Sequence, residues 1–174
     1  MSRSNSIESF CKRFCRCLIE NQALDAVLAE LLDRTKARAT GLWFLADREL
    51  HLVAFQGVSE MPEKVKQEFI EATRHVPLTQ TGLGIVKAVV KESPALSFVD
   101  AQPRTAATSA GWLERFGARS SVAVPVKDAG RIVGVLAIST AEELSEGSPA
   151  WSIMVQVALS IGNALSASSP RGPN

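Results

Sequence analysis

The stretch from Phe116 to Thr140, FGARSSVAVPVKDAGRIVGVLAIST, contains two apolar, β-branched runs on either side of a short polar segment. The runs are Ser121 to Val126 and Ile132 to Ser139, and Lys127 to Arg131 joins them. This pattern is typical of an antiparallel hairpin. Because apolar residues occupy both sets of alternate positions in the second run, we expect other elements to cover both faces of the sheet.

Three features of the hairpin give specific expectations. Pro125 lacks an amide donor, so we expect it at a bulge or a strand end. Gly134 indicates a close approach by another part of the chain. Strict alternation predicts that Val133, Val135, Ala137 and Ser139 share one face, and that Ile132, Gly134, Leu136 and Ile138 share the other.

The composition favours a single domain with one core. The chain has 174 residues, and its 19 Lys and Arg nearly balance its 18 Asp and Glu, which gives a net charge of +1. So small a charge disfavours nucleic acid as a partner. No apolar run approaches the roughly 18 residues that span a bilayer, and the polar start MSRSNSIESF is unlike a signal peptide. We therefore expect a cytoplasmic protein that does not bind membranes.

Cysteine and histidine are scarce. Cys11, Cys15 and Cys17 crowd one segment, and their odd number predicts reduced thiols that fill a helix interface. Metal binding or oxidant sensing is the alternative, although Cys11 and Cys15 supply only two ligands on one face. His51 and His75 are expected to be solvated or strand-end residues. We therefore predict no metal site and no catalytic triad.

The organisation along the chain is that of an α+β domain. Ile7, Phe10, Phe14 and Cys17 recur at helical spacing, which predicts an amphipathic helix within residues 1–21. Its basic residues, Lys12, Arg13 and Arg16, leave membrane-surface binding or a partner helix as alternatives. The remaining expectations are a main domain over residues 22–167 and a disordered tail over residues 168–174.

Within the main domain the patterns predict helices and strands in a mixed order. A helix over about 21–37 precedes a hairpin of 39–46 and 50–57, and helices follow at about 62–74 and 85–92. After a short strand at 96–99, an irregular loop is expected from Asp100 to Gly111, then a short helix from Trp112 to Phe116 capped by Gly117. The last helix begins at Pro149.

Two blocks of this sequence resemble the GAF domain family. VPLTQTGLGIVKAVVKESPALSFVD, residues 76–100, is similar to the family's Val-Pro-Leu, Gly-Leu-Gly, helix and strand ending in Asp. LERFGARSSVAVPVKDAGRIVGVLAIST, residues 113–140, is similar to its signature of Gly-(Ile/Ala)-Arg-Ser, an apolar run, Pro-(Leu/Val), a short turn and Val-Gly-Val-Leu. With the flanking helices the resemblance covers about residues 22–165.

The resemblance implies a six-stranded antiparallel sheet with the terminal helices on one face and a roofed small-molecule pocket on the other. It also implies a module that senses ligands or redox state and dimerises through its terminal helices. Three branches of the family do not fit. The cyclic-nucleotide signature needs a core Asn, the sulfoxide reductases need core cysteines, and bilin binding needs a covalent Cys with a His- and Tyr-bearing pocket. No bilin, haem or metal signature is found.

For the pocket, the resemblance implies a set of aromatic and polar residues around one covered face of the sheet and its roof. Packing in an ordinary core is the alternative for each aromatic residue. Asp100 and Arg119 orient a polar ligand, form a structural ion pair or are solvated strand ends. Arg104, Thr105, Thr108 and Ser109 form either a lid suited to an anion or an ordinary solvent-facing loop. The predicted ligand-binding residues are Trp43, Phe55, Phe98, Asp100, Trp112, Arg119 and Ser121.

These features support three hypotheses about function. The first is a regulatory module that binds a small molecule, forms a homodimer and acts on an effector protein. The second is a ligandless dimerisation module whose pocket is filled by its own aromatic side chains. The third, an enzyme, has the least support, because no nucleophile, metal set or phosphate loop emerges.

Overall fold

A computed structural model describes residues 3–168, with side chains from residue 6 onward. Six helices and six strands alternate in a mixed order. In chain order they are α1 (Arg3–Ile19), α2 (Asp25–Thr35), β1 (Ala37–Ala46), β2 (Glu49–Gly57), α3 (Glu63–Thr73), β3 (His75–Pro77), α4 (Gly84–Lys91), β4 (Ala95–Phe98), α5 (Ser109–Phe116), β5 (Ser120–Asp128), β6 (Arg131–Thr140) and α6 (Pro149–Ser168).

The strands form one antiparallel sheet in the order β3-β2-β1-β6-β5-β4, which confirms the predicted α+β fold class. Both long hairpins close through two-residue turns. Asp47 and Arg48 in the first turn have positive φ, as do Ala129 and Gly130 in the second. Positive φ at both central residues is the geometry that matches the twist of paired strands, so these turns set the register of each hairpin.

One face of the sheet is covered by the terminal helices α1, α2 and α6. Phe10 and Phe14 from α1 are fully buried, as is Met154 from α6. They pack with Leu136 and Ile138, whose side chains point to this face from β6. The expected cover of terminal helices on one face is therefore confirmed.

The opposite face is covered by α3, α4 and α5, which form a roof over the sheet. A second core cluster joins Phe69 of α3, Val86 of α4 and Trp112 of α5 to Ala123 and Val135 on the strands. Covering both faces explains why neither alternate set of residues in β6 is polar.

The alternation predicted for β6 fails at its start. A register shift opposite Val126 and Lys127 leaves Val133 without a partner on β5, so Ile132 packs with the roof cluster and Val133 with the terminal-helix cluster. Such a bulge places two residues opposite one and reverses the faces on one side of it. From Gly134 onward the predicted faces are confirmed.

The expectation for Pro125 was wrong. Pro125 lies inside β5 opposite Val135, with no bulge or strand end at that position. It is tolerated because β4 pairs only as far as Ala123, so no neighbouring strand is present on that side to need the missing amide. The expectation for Gly134 was correct, since a Cβ there would collide with the carbonyl oxygen of Trp43.

Two predicted boundaries also change. The short helix α5 starts at Ser109 rather than Trp112, because the Thr108 hydroxyl accepts a hydrogen bond from the Gly111 amide and caps the helix. Gly117 ends α5 at φ 68°, as expected. Helix α6 continues through Ser168, the first residue of the predicted disordered tail, and residues 169–174 lie outside the described part of the chain.

Helix α6 is also the one described helix that is long and apolar enough to cross a membrane by length and composition. The sequence-based statement that no run approaches this length was therefore too strong. One face of α6 packs on the sheet through Met154, Val157, Ala158 and Ile161. Core helices of soluble proteins pass the same test.

An ion-pair network joins α1 to α2. Both oxygens of Glu30 accept hydrogen bonds from Arg13, at 2.7 and 3.0 Å, and Arg34 donates to one of them at 2.8 Å. The Arg34 guanidinium also lies 5.0 Å from the Phe10 ring centroid. The apolar stripe of α1, which the membrane alternative requires, is thus packed against the domain through Phe10 and Phe14.

The Glu30 network gives a pH-dependent prediction. The hydrogen bond from Arg13 is the largest cause that lowers the pKa of Glu30 below its ordinary value. A lowered folded-state pKa stabilises the protein above the unfolded-state pKa, and the stabilisation is lost as the pH falls. Glu30→Gln should therefore cost about 0.5–1 kcal/mol of unfolding free energy at pH 7, and much less at pH 3.

Urea denaturation at the two pH values measures this effect. Glu60→Gln, which neutralises an exposed carboxylate without an ion pair among residues 3–168, is the control and should change little at either pH. A loss for Glu30→Gln that is the same at both pH values would contradict the electrostatic explanation.

Candidate functional site

Aromatic side chains from the roof fill most of the space above the sheet. Phe69 lies at their centre, with its ring centroid 4.9 Å from that of Phe55, 5.0 Å from both Trp112 and Phe116, and 6.2 Å from Trp43. Several of these pairs meet edge to face, the arrangement that favours aromatic contacts. The roof is therefore held by one continuous set of rings.

The floor below these rings consists of small side chains on the central strands. Ala123 and Ala137 are paired across β5 and β6, and so are Ser121 and Ser139. Gly41 on β1 has no room for a Cβ, because the Trp43 indole lies against it. Because the floor residues are small, space remains between the sheet and the roof, and the aromatic rings occupy it.

The space that remains is a central cavity of about 50 Å³ between floor and roof. A water molecule needs roughly 10–15 Å³ by this measure, so the cavity holds only a few atoms. Pockets for metabolite-sized ligands are commonly about 300–1,000 Å³. A ligand of that size can enter only if the rings move. The cavity is lined by Trp43, Phe69, Thr73, Leu83, Gly84, Ile85, Ser109, Trp112, Leu113, Phe116, Ser121, Ala123, Ala137 and Ser139.

Two tryptophans anchor the roof through their indole N–H groups. Trp43 Nε1 donates to the carbonyl of Thr73 at the end of α3, at 3.0 Å. Trp112 Nε1 donates to the carbonyl of Ala106 in the loop before α5, at 2.8 Å. Buried indole N–H groups need such partners, and here each one ties a roof segment to the pocket.

A loop groove of about 190 Å³ adjoins the central cavity, and Ser109 lines both. The groove lies between the N-terminal end of α4, β4 and the segment before α5. Ser97 lines it, and its hydroxyl is the only buried side-chain polar atom without a partner among the described residues. Lys87 and Thr108 line the groove as well. The loop groove is thus a polar site beside an apolar cavity.

Ser97 lies close to the start of α4. The Gly84 amide at that helix end donates to the Ser109 hydroxyl at 2.7 Å. A Cβ on Gly84 would come within 2.9 Å of the Ser97 hydroxyl. Glycine at position 84 therefore allows the start of α4 to lie this close to Ser97. The positive end of a helix, a lysine and two serine hydroxyls together suit a polar or anionic ligand group.

The structure separates the predicted ligand-binding residues into two groups. Trp43, Trp112 and Ser121 line the central cavity, and Phe55 packs against Phe69 and Phe116 at its edge. The other three line a different surface groove at the β4 edge of the sheet, and one of them, Phe98, also lines the loop groove: Phe98, Asp100 and Arg119.

The rationale for the Asp100 and Arg119 pair is not met. Both residues are exposed, and no ion pair joins them among residues 3–168. The two residues line the same surface groove and are solvated at strand ends, which was one of the alternatives. The proposed lid is met only in part, because Thr108 and Ser109 line the loop groove while other contacts of the segment are internal. Thr105 accepts from the Ala107 amide, and Thr108 binds the carbonyls of Pro103 and Thr105, so these hydroxyls hold their own loop.

Most of the residues that line the cavity were not among the seven predicted ligand-binding residues, and four of them are instructive. Phe69 and Thr73 lie one helical turn apart on α3, and this period was visible, but nothing indicated that the helix face pointed at the pocket. Phe116 ends the predicted short helix and Ser139 ends the second apolar run, and neither position indicated the pocket. Ser139 is the best example, because a serine in an apolar strand, paired with Ser121, is itself a signal.

The cysteines lie on the other side of the sheet from the cavity. All three are free, and they pack on α1 within or against the terminal-helix cluster, as expected for thiols at a helix interface. Burial is the main cause that raises the pKa of Cys15 to about 11, and the neighbouring Cys11 adds to it. Cys15 is therefore a poor nucleophile at neutral pH.

The two histidines are partly exposed on strands, as expected, and they are also neighbours. His51 on β2 and His75 on β3 are directly paired across the two strands. Their Nδ1 atoms lie 3.0 Å apart, and Glu49 lies beside them.

Solved structures with the same fold include proteins of several functions. The GAF domain of a phosphoenolpyruvate-protein phosphotransferase from Coxiella burnetii matches with a TM-score of 0.64 and 18% identity, covering 95% of this chain and 96% of that chain. A free methionine-R-sulfoxide reductase from Neisseria meningitidis, solved with its substrate, matches with a TM-score of 0.62 and 19% identity, covering 97% of this chain and 93% of that chain. A phycocyanobilin-bound GAF domain from a cyanobacterial phytochrome matches with a TM-score of 0.64 and 15% identity, covering 93% of this chain and 94% of that chain.

At these identities the likeness shows a shared fold, and the different functions of the matched proteins do not transfer. No curated protein matches the sequence. The family model for the GAF domain matches residues 20–165, which is most of the chain, and this chain therefore belongs to the GAF domain family.

Proposed function

We propose that this domain is a non-catalytic regulatory module that binds a small polar or anionic ligand in the loop groove and the central cavity. GAF domains are generally signalling and ligand-binding modules, and this chain has their fold. The observation that carries the proposal is the Ser97 hydroxyl, which is buried without a hydrogen-bond partner among the described residues. Such an atom destabilises the ligand-free protein, and a bound ligand would satisfy it.

Ligand entry requires the roof to move, because the central cavity holds only about 50 Å³. The loop before α5 is the natural moving part, since Trp112 connects it to the ring cluster through one hydrogen bond. A ligand shifts this equilibrium only by its difference in affinity for the closed and open arrangements.

Strand β5 connects the pocket with the terminal helices. Its residues Ser121 and Ala123 line the cavity, and the alternate residues Val122 and Val124 pack under the terminal helices. At the far end of the strand, Gly162 of α6 comes so close to Lys127 that a Cβ would collide with its carbonyl. A movement of β5 would therefore displace α6.

We further propose that α6 contributes to a homodimer interface and that the dimer acts on an effector protein in the cytoplasm. Val155 and Leu159 are four residues apart on one face of α6, and they are 38% and 62% exposed. Two large apolar side chains on the outer face of a terminal helix suit a partner helix.

A non-catalytic role is supported by the composition of the cavity wall. Its described lining includes no cysteine and no histidine, and the three thiols lie across the sheet on α1. The chemistry of sulfoxide reduction runs through a sulfenic acid and needs a thiol at the substrate.

Thermal shift measurements test the ligand proposal. The wild-type protein is screened against nucleotides, amino acids, 2-oxo acids and phosphorylated metabolites, and we expect at least one class to raise the melting temperature. Ser97→Ala should leave the ligand-free protein as stable or more stable, because it removes an unsatisfied hydroxyl, yet it should reduce the ligand shift. Ser160→Ala on α6 is the control and should keep the full shift.

The filled-pocket alternative is favoured by one observation, the small volume of the central cavity. In that case Ala137→Val would fill the cavity and stabilise the protein by about 0.5–2 kcal/mol, and no compound would change the melting temperature. A ligand shift in the wild type that Ala137→Val removes would support the sensing function and contradict the alternative.

A further inference from the structure

We propose that Glu49, His51 and His75 form a binding site for a divalent transition-metal ion of the zinc class at the β2–β3 edge of the sheet. The site is separate from the central cavity and does not depend on the proposed ligand. Its three residues are a recognised ligand combination, two imidazoles and one carboxylate.

The strand register brings the three side chains to one face. Glu49 and His51 are two residues apart on β2, so their side chains point to the same side of the sheet. His51 is directly opposite His75 on β3. His51 is also paired with Phe44 of β1, whose side chain packs with the terminal-helix cluster. The three ligands therefore lie on the sheet face opposite the aromatic roof.

Two of the three distances between donor atoms are close to those around a tetrahedral metal. The two Nδ1 atoms are 3.0 Å apart, and His75 Nδ1 is 3.3 Å from Glu49 Oε1. One donor atom from each residue lies within 4.8 Å of the others. Two ligands at about 2.1 Å from a tetrahedral zinc ion are separated by about 3.4 Å. Little movement is needed to bring all three to one ion.

A hydrogen bond between the two imidazoles is the alternative explanation for their contact. It requires one neutral ring to donate to the other and accounts for that pair alone, whereas Glu49 lies within ion-pair distance of both rings. A divalent cation uses all three donor atoms at once and balances the charge of Glu49. The side chains of Glu49, His51 and His75 are 36%, 40% and 59% exposed, so an ion can enter and keep water as its remaining ligand.

Metal binding would stabilise the pairing of the short edge strand β3 with β2. Strand β3 has only three residues, and it directly follows α3, which carries Phe69. The Leu52 amide donates to the carbonyl of Arg74, just before His75. An ion that bridges β2 and β3 would thus hold the end of α3, where Thr73 accepts the Trp43 hydrogen bond. We expect bound metal to stabilise the folded protein by mass action.

Isothermal titration of the full chain with Zn²⁺, after removal of any polyhistidine tag, tests the site. The chain has only two histidines, so imidazole binding can come only from His51 and His75. We expect a single Zn²⁺ per chain, with the affinity lowered at least about tenfold in His51→Asn and His75→Asn, and lowered also in Glu49→Gln. Zn²⁺ should raise the melting temperature of the wild type and not of His75→Asn.

The thiols of α1 are the competing site, so Cys15→Ser/Cys17→Ser is the matched control. It should bind Zn²⁺ as the wild type does. Loss of binding in this control, or unchanged affinity in both histidine variants, would overturn the proposal. If a histidine variant does not fold, diethyl pyrocarbonate modification of the wild type replaces it. Zn²⁺ should protect both histidines from this reagent, and the absence of protection would equally overturn the site.

Discussion

Replacing Phe69 with alanine should lower the free energy of unfolding by about 3–5 kcal/mol, the range found when a buried phenylalanine is truncated. Phe69 is 9% exposed and is the one residue whose ring contacts Trp43, Phe55, Trp112 and Phe116. Its removal joins a large void to the existing cavity, and the floor of small residues cannot close it. Urea denaturation followed by circular dichroism measures the loss.

Phe98→Ala is the matched control, because it makes the same change on β4 at a half-buried position that lines a surface groove. It should cost clearly less than Phe69→Ala. Equal losses in the two variants would contradict the central position of Phe69 in the roof.

Replacing Gly134 with alanine should cost about 3 kcal/mol, the upper end of the usual range for overpacking, because the added methyl group has no space. Its Cβ would collide with the backbone carbonyl of Trp43 and come within 3.0 Å of the Phe44 ring. Backbone cannot turn away as a flexible side chain can, so β1 and β6 must separate at the centre of the sheet. The fall in melting temperature measures this cost.

Gly57→Ala provides the same chemical change at the end of β2. The nearest atoms there are the sulfur of Met61 at 3.1 Å and the side chain of Lys66, both of which can move. We expect a loss of no more than about 1 kcal/mol, with some compensation from the reduced freedom of the unfolded chain. A greater loss at Gly57 than at Gly134 would show that the close approach at the centre of the sheet is not what limits the substitution.

The central hairpin could be predicted because its information is local. The period of two, the β-branched residues and the polar turn all lie within residues 116–140, and the turn residues Ala129 and Gly130 adopt the positive φ that a tight hairpin needs. The bulge at Val133 could not be predicted, since it depends on how Lys127 and Ile132 pair across the two strands.

The candidate site was only partly predictable, because it combines elements that are far apart in sequence. Trp43, Trp112 and Ser121 were correctly placed at the cavity by the resemblance to the family. Phe69 was visible only as one member of a helical stripe, with no indication of the surface it faces. Asp100 and Arg119 were linked by the idea of buried charge, but strand ends at a sheet edge remain in solvent.

The contact between the two histidines was even less predictable from the sequence. His51 and His75 are 24 residues apart, and the strand that carries His75 is three residues long. A strand this short has no recognisable period, so its pairing with β2 cannot be inferred from the sequence. Only the register of the sheet reveals three possible metal ligands on one face.

Native mass spectrometry of the purified protein tests the sensing function most directly, with wild type and Ser97→Ala measured side by side. We expect a dimer, and we expect the wild type to carry an added small-molecule mass, distinct from that of a metal ion, which Ser97→Ala retains less well. A bare monomer that gains no mass from any compound class in the screen would contradict the account.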